Sequence, residues 1–80
     1  MMTSARTFDA RGMRCPMPVL KLAKEIKEIN PGETLEVIAD DPGFKPDVTA
    51  WCSQSKNQLL DLREEGTVFR AYIKRQQSVV

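Results

Sequence analysis

The chain has two cysteines and no histidine, so any nucleophilic chemistry in it falls first to a thiol. Cys15 lies in the run Met13 to Lys21, Met-Arg-Cys-Pro-Met-Pro-Val-Leu-Lys. Pro16 and Pro18 flank Met17, and behind them Val19, Leu22, Ala23, Ile26 and Ile29 are spaced as one stripe of an amphipathic helix. Two prolines that close together cannot lie inside a helix. They fit its first turn, where the backbone N–H groups have no partner within the helix and a proline forfeits nothing. The spacing therefore predicts Pro16 as the first helical residue and Cys15 as its cap.

A cap position has chemical consequences. A helix N-terminus carries roughly half a positive charge and favours a thiolate, which is the reactive form of cysteine. With Pro18 lacking a donor, the Met17 N–H is the best-placed near partner for the sulfur, and Arg14 adds a full positive charge beside it. These residues, Arg14, Pro16, Met17 and Pro18, are the expected supports of a Cys15 thiolate more acidic than a free cysteine. The alternative is that Cys15 is a small hydrophobe at a helix start, as many free cysteines are.

Cys52 reads differently. It sits beside Trp51 in the apolar stripe of a second helix, Phe44, Val48, Trp51, Cys52 and Ser55, which predicts a buried and inert structural thiol. The two cysteines do not form a Cys-x-x-Cys pair, so neither a metal site nor a thioredoxin-like dithiol is expected, and a lone Cys15 to Cys52 disulfide is disfavoured. The absence of histidine removes the usual imidazole base and histidine-built zinc sites. No metal and no cofactor is expected.

The elements that must position Cys15 follow from periodicity and turn signals. Thr7 to Ala10 reads as a first strand, with Gly12 turning the chain into Cys15. Lys21, Lys24, Glu25 and Glu28 form the solvated face of the first helix, which Asn30-Pro31-Gly32 ends. Thr34 to Ala39 is a second strand with Leu35, Val37 and Ala39 on one side and Glu36 and Ile38 on the other. A strand, a helix and a strand of these lengths predict a right-handed parallel crossover. Asp40-Asp41-Pro42-Gly43 turns into a second helix, Phe44 to Ser55, with Pro46 tolerated in its first turn. The two adjacent carboxylates are read as helix-entry residues rather than a metal or acid-base pair. Gln58 to Glu64, with Leu60 and Leu62 inward, and Thr67 to Arg75, with Phe69, Ala71 and Ile73 inward, make a hairpin around Glu65-Gly66. Gln76 to Val80 reads as a loose tail. The order strand, helix, strand, helix, strand, strand predicts an α+β fold, two helices on one face of a four-stranded mixed sheet.

The 80 residues, 41% hydrophobic and 29% charged, suit one small domain, structured over about residues 7–75. A net charge of +1 argues against a general nucleic-acid binder. Met1 to Arg6 does not read as an export signal and no run reaches the length of a membrane span, so a reduced, cytoplasmic setting is expected.

The run Asp9, Gly12, Arg14, Cys15, Pro16, Pro18, with Pro31-Gly32-Glu33-Thr34 and Asp40-Asp41-Pro42 further on, resembles the TusA/SirA/YedF family of small sulfur-carrier proteins from about Phe8 to Arg75. That resemblance implies a two-layer α/β sandwich. It also implies a sulfurtransferase that takes up sulfur as a persulfide on Cys15 and hands it on in a relay serving tRNA thiolation, molybdenum-cofactor sulfuration or sulfur oxidation. The partners it implies are a sulfur-donor protein such as a cysteine desulfurase and a sulfur-acceptor protein, met by a monomer, with Arg11, Arg14, Met17 and Lys21 as docking candidates. It gives Cys52 no sulfur-carrying role. A non-catalytic interaction or regulatory domain and a thiol redox protein are the alternatives, the latter weakened by the lack of a nearby resolving cysteine.

Overall fold

The computed structural model describes residues 4–76. In chain order it contains β1 (Arg6–Asp9), α1 (Met17–Glu25) followed by a 3₁₀ turn (Ile26–Glu28), β2 (Thr34–Ala39), α2 (Phe44–Ser55), β3 (Gln58–Glu65) and β4 (Val68–Lys74). The strands form one sheet in the order β1-β2-β4-β3. β1 and β2 are parallel, whereas β2 with β4 and β3 with β4 are antiparallel, so the sheet is mixed as expected.

Period-2 patterning decides which face of this sheet is covered. Phe8 pairs Val37, Val37 pairs Ala71, and Ala71 pairs Leu62, giving one apolar row across all four strands. Against it α1 buries Leu22, with Ile26 and Ile29 following in the 3₁₀ turn and beyond, and α2 buries Phe44, Val48 and Cys52. Fully enclosed Leu22, Leu35, Val37, Val48 and Ile73 form the centre of this layer. Each such side chain contributes on the order of 1.5 to 3 kcal/mol when removed from water.

The opposite face of the sheet is polar. Glu36 accepts hydrogen bonds from Thr7 (2.8 Å), Tyr72 (2.8 Å) and Arg70 (3.0 Å), and the Arg63 guanidinium lies 5.4 Å from the centre of the Tyr72 ring. Partial burial pushes the Glu36 carboxyl up, but the three hydrogen bonds outweigh it and hold the group below its usual range. The hydrogen bonds tie β1, β2 and β4 together, and the Arg63 contact with Tyr72 adds β3.

Several boundaries differ from those read in the sequence. Pro16 is not the first helical residue: α1 begins at Met17 and Pro16 takes the cap position at φ −95, ψ 10. The helix also ends before Asn30, tightening after Glu25 into the 3₁₀ turn, with Ile29 already extended. β1 runs one residue earlier than Thr7 to Ala10, although the Ala10 N–H still donates to the Ile38 carbonyl at 2.6 Å.

The hairpin is the larger correction. Leu60 does not point inward. β3 pairs Leu59 with Ile73 but Asp61 with Tyr72, so Leu60 is the extra residue of a β-bulge and is 38% exposed. Leu59 and Leu62 pack on the core instead. The turn falls at Gly66-Thr67 rather than Glu65-Gly66, with Gly66 at φ +66, because the first corner of so tight a turn requires the positive φ that glycine accepts freely. The part of the expected tail beyond Gln76 lies outside the described residues.

Candidate functional site

Because β1 and β2 are adjacent and parallel, the two strand-to-helix junctions that follow them emerge at the same end of the sheet. The first carries Cys15 and the second carries Asp40 to Asp47. Backbone turns and side-chain hydrogen bonds then lock one against the other. Gly12, at φ +86, donates its N–H to Asp40 Oδ1 at 2.9 Å. The Cys15 N–H donates to Asp41 Oδ2 at 3.0 Å, and Asp41 is the one charged residue buried in the described chain, 8% exposed.

Asp40 and Asp41 are therefore not helix caps. No side chain caps α2; the two carboxylates reach across to the Cys15 loop instead and act as its clamp. Gly43, at the cap of α2, brings the backbone against Cys15: a Cβ there would stand 3.6 Å from Cys15 Cβ and 3.9 Å from its sulfur.

Cys15 is exposed, and its thiol donates a hydrogen bond to Asp47 Oδ2 in the first turns of α2. The sulfur thus stands at the starts of both helices, but a carboxylate rather than a cation is its nearest charged neighbour. The hydrogen bond to Asp47 raises the Cys15 pKa, helped by desolvation and by the negative charges of Asp47 and Asp41. The expectation of an acidic Cys15 therefore does not hold for the free protein: the contact with Asp47, desolvation and the two nearby carboxylate charges all push its pKa up.

The expected thiolate supports are placed elsewhere. The Met17 N–H donates to the Arg14 carbonyl at 2.8 Å, closing a tight turn, and is not offered to the sulfur. Arg14 turns its side chain to Asp40, 3.5 Å away, and stays 68% exposed. Pro18 is buried in the core layer, and Pro16 lines a groove beside the thiol. Of the docking candidates, Arg11 folds back onto Asp9 through two side-chain hydrogen bonds, at 3.0 and 2.8 Å, which hold the Asp9 carboxyl down at about 2. Lys21 lies exposed on α1, and Met17 is 41% exposed.

The groove was not foreseen from the sequence. It is an open trough of about 300 Å³ between α1 and α2, lined by Cys15, Pro16, Val19, Leu20, Asp47, Ala50, Trp51 and Gln54. Leu20, 54% exposed, forms part of its apolar wall, so the Cys15 sulfur sits at a surface that is largely hydrophobic on one side. Cys52 lies where expected, 4% exposed, and burial pushes its thiol up to about 11. Both cysteines are free. No helix among the described residues is long and apolar enough to cross a membrane.

An exposed thiol at the junction of two helix starts, on a two-layer α+β sandwich and opening a Cys-Pro-x-Pro run, defines a class of small thiol-bearing domains. Comparison with known proteins places the chain within it: the profile of the sulfurtransferase TusA family matches residues 6–75, and the chain belongs to that family. YrkI of Bacillus subtilis, named as a candidate sulfur carrier protein, is 38% identical over 92% of this chain and 99% of its own. Two longer relatives carry similar names. The one from Aquifex aeolicus is 40% identical over 88% of this chain but only 36% of its own length, and YrkF of Bacillus subtilis is 35% identical over 94% and 40%. The chain therefore spans well under half of those two proteins. A SirA-like protein from Desulfitobacterium hafniense has the same fold, with a TM-score of 0.75 over 90% of this chain and 99% of that one, at 20% identity.

Proposed function

We propose that this chain is a sulfur carrier that takes up sulfur as a persulfide on Cys15 and passes it to an acceptor protein, working as one domain over about residues 7–75. The observation that carries this reading is the contrast between its two thiols. Cys15 is exposed at the rim of an open groove, and Cys52 is sealed in the core with its thiol held neutral. Family membership supports the same assignment.

The chemistry needs no deep pocket. A sulfur nucleophile attacks the outer sulfur of a donor persulfide, the donor's S–S bond breaks, and the carried sulfur remains as Cys15-S-SH. A second thiol, on the acceptor, then takes that outer sulfur. Each partner must bring its own cysteine to within bonding distance of an exposed sulfur, and the apolar groove gives the chain flanking that cysteine a place to rest. Two free thiols fit a reducing, cytoplasmic setting.

Intact-mass measurement after incubation with a cysteine desulfurase and cysteine, worked up without reductant, tests the proposal. A gain of one sulfur that maps to Cys15 and disappears in Cys15→Ala is the expected result. No adduct, under conditions that load an authentic carrier, would leave the chain an interaction domain.

A further inference from the structure

Sulfur transfer between thiols moves one proton as well as one sulfur. A proton must leave Cys15, and one must reach the sulfur that departs from the donor. In the free protein Cys15 is held as a thiol, so the first of these needs a recipient. Asp47 is the titratable group that touches the sulfur: its Oδ2 accepts the Cys15 S–H, and it lines the same groove on the α2 side. Its other carboxylate oxygen has no side-chain partner among the described residues, and Asp47 forms no ion pair there.

The ordinary explanation for an aspartate at this place is that an acidic residue in the first turn favours the helix. That accounts for its charge but not for its contact, because α2 has no side-chain cap hydrogen bond and the carboxylate is spent on the thiol instead. The other charged groups nearby are already engaged. Asp41 Oδ2 accepts the Cys15 backbone N–H, and Arg14 pairs with Asp40.

Resting on the persulfide-carrier reading, we infer that Asp47 is a catalytic proton relay for sulfur transfer at Cys15. As Cys15 Sγ forms its bond to the outer sulfur of the donor persulfide, its proton passes to Asp47 Oδ2. The donor's S–S bond breaks with its electron pair on the inner sulfur, and Asp47 returns a proton to that departing thiolate. The net change is Cys15-SH plus R-S-SH giving Cys15-S-SH plus R-SH, with Asp47 returned to its starting state. No oxidant or reductant is consumed, and a carboxylate in contact with both sulfurs spares either from standing as a free thiolate.

Asp47→Asn separates the relay from simple suppression of the thiolate, because the two roles move two rates in opposite directions. The amide removes the charge that keeps Cys15 protonated, so alkylation by iodoacetamide at pH 7, which reads thiolate alone, becomes faster. It also cannot carry a proton, so loading from glutathione persulfide becomes slower by about tenfold or more. Asp47→Glu recovers part of the loading rate, and both variants keep the parent far-ultraviolet circular dichroism. Loading by Asp47→Asn that is as fast as the parent, or that rises together with alkylation, overturns the relay and leaves Asp47 only a brake on the thiolate. No loading of the parent chain at all, with Cys15 still open to alkylation, overturns the carrier reading and the relay with it.

Discussion

Replacing Gly43 with alanine tests how tightly the Cys15 loop is seated on the second helix. The backbone there, at φ −80 and ψ −6, suits any residue, so no conformational penalty attaches to the change. Restricting the unfolded chain would by itself stabilise the protein by about 0.4 to 1 kcal/mol. The opposing effect comes from the added methyl, which would stand 3.2 Å from Asp41 Oδ2, closer than ordinary van der Waals contact, while its distances of 3.6 and 3.9 Å to the Cys15 side chain are ordinary. That oxygen is the acceptor of the Cys15 N–H, in a residue only 8% exposed. Moving it weakens a hydrogen bond to a charged group worth about 1.5 to 3 kcal/mol and leaves an enclosed carboxylate short of a partner. The loss exceeds the gain. Gly43→Ala should therefore destabilise the chain by about 1 kcal/mol, which lowers Tm by about 4 to 8 °C in a domain of this size. Thermal unfolding reads the effect directly, and the alkylation rate of Cys15 should change with it, since the loop carries the sulfur. A variant as stable as the parent or more so would show that Asp41 does not hold the loop, and the account of the site as two junctions clamped together would fail.

Other perturbations divide the two thiols and the helix ends. Cys15→Ala should abolish sulfur loading while its thermal transition stays close to that of the parent, which intact mass and circular dichroism check together; an unfolded variant would make Cys15 structural. Cys52→Ser should do the reverse, keeping sulfur uptake but losing on the order of 1 to 3 kcal/mol in denaturant unfolding, because it places a hydroxyl among Phe44, Val48 and the sheet. The Cys52 thiol rises from 9.0 to about 11 on folding, so the stability linked to keeping it neutral is fully present below pH 9 and lost as the pH climbs through 11. Roughly 2 to 3 kcal/mol should disappear over that range in the parent, and urea titrations of a Cys52→Ala variant should show a smaller decline. Lys56 ends α2 at φ +64, a conformation that costs a side chain about 1 to 2 kcal/mol, so Lys56→Gly should raise the unfolding midpoint.

How far the sequence reaches depends on whether a feature is carried by one element or by two. β2 and α2 were legible to their end residues because a period of two at Leu35, Val37 and Ala39, and a helical stripe at Phe44, Val48 and Cys52, each state a buried face without help from elsewhere. The β3 strand misleads for the same reason: Leu59, Leu60 and Leu62 admit two alternations, and only pairing with β4 shows that a bulge turns Leu60 outward and brings Leu59 in.

The site repeats this contrast at the level of charge. Everything local to Cys15, a helix start and an adjacent arginine, argues for a thiolate, yet in the free protein the Cys15 pKa is raised. The groups that reverse it, Asp41 and Asp47, are 26 and 32 positions away. They were nevertheless within reach of the sequence, because a parallel strand-helix-strand unit puts the loops after both strands at one end of the sheet. The Asp40-Asp41 pair must then face Cys15 rather than only its own helix, and an acidic residue in the first turns of α2 must stand beside the sulfur. The motif marks the exposed cysteine, and the neighbouring junction sets its surroundings. For a carrier that must meet a donor and later an acceptor, a thiol kept protonated by a carboxylate on the opposite wall of the groove is guarded against chance electrophiles.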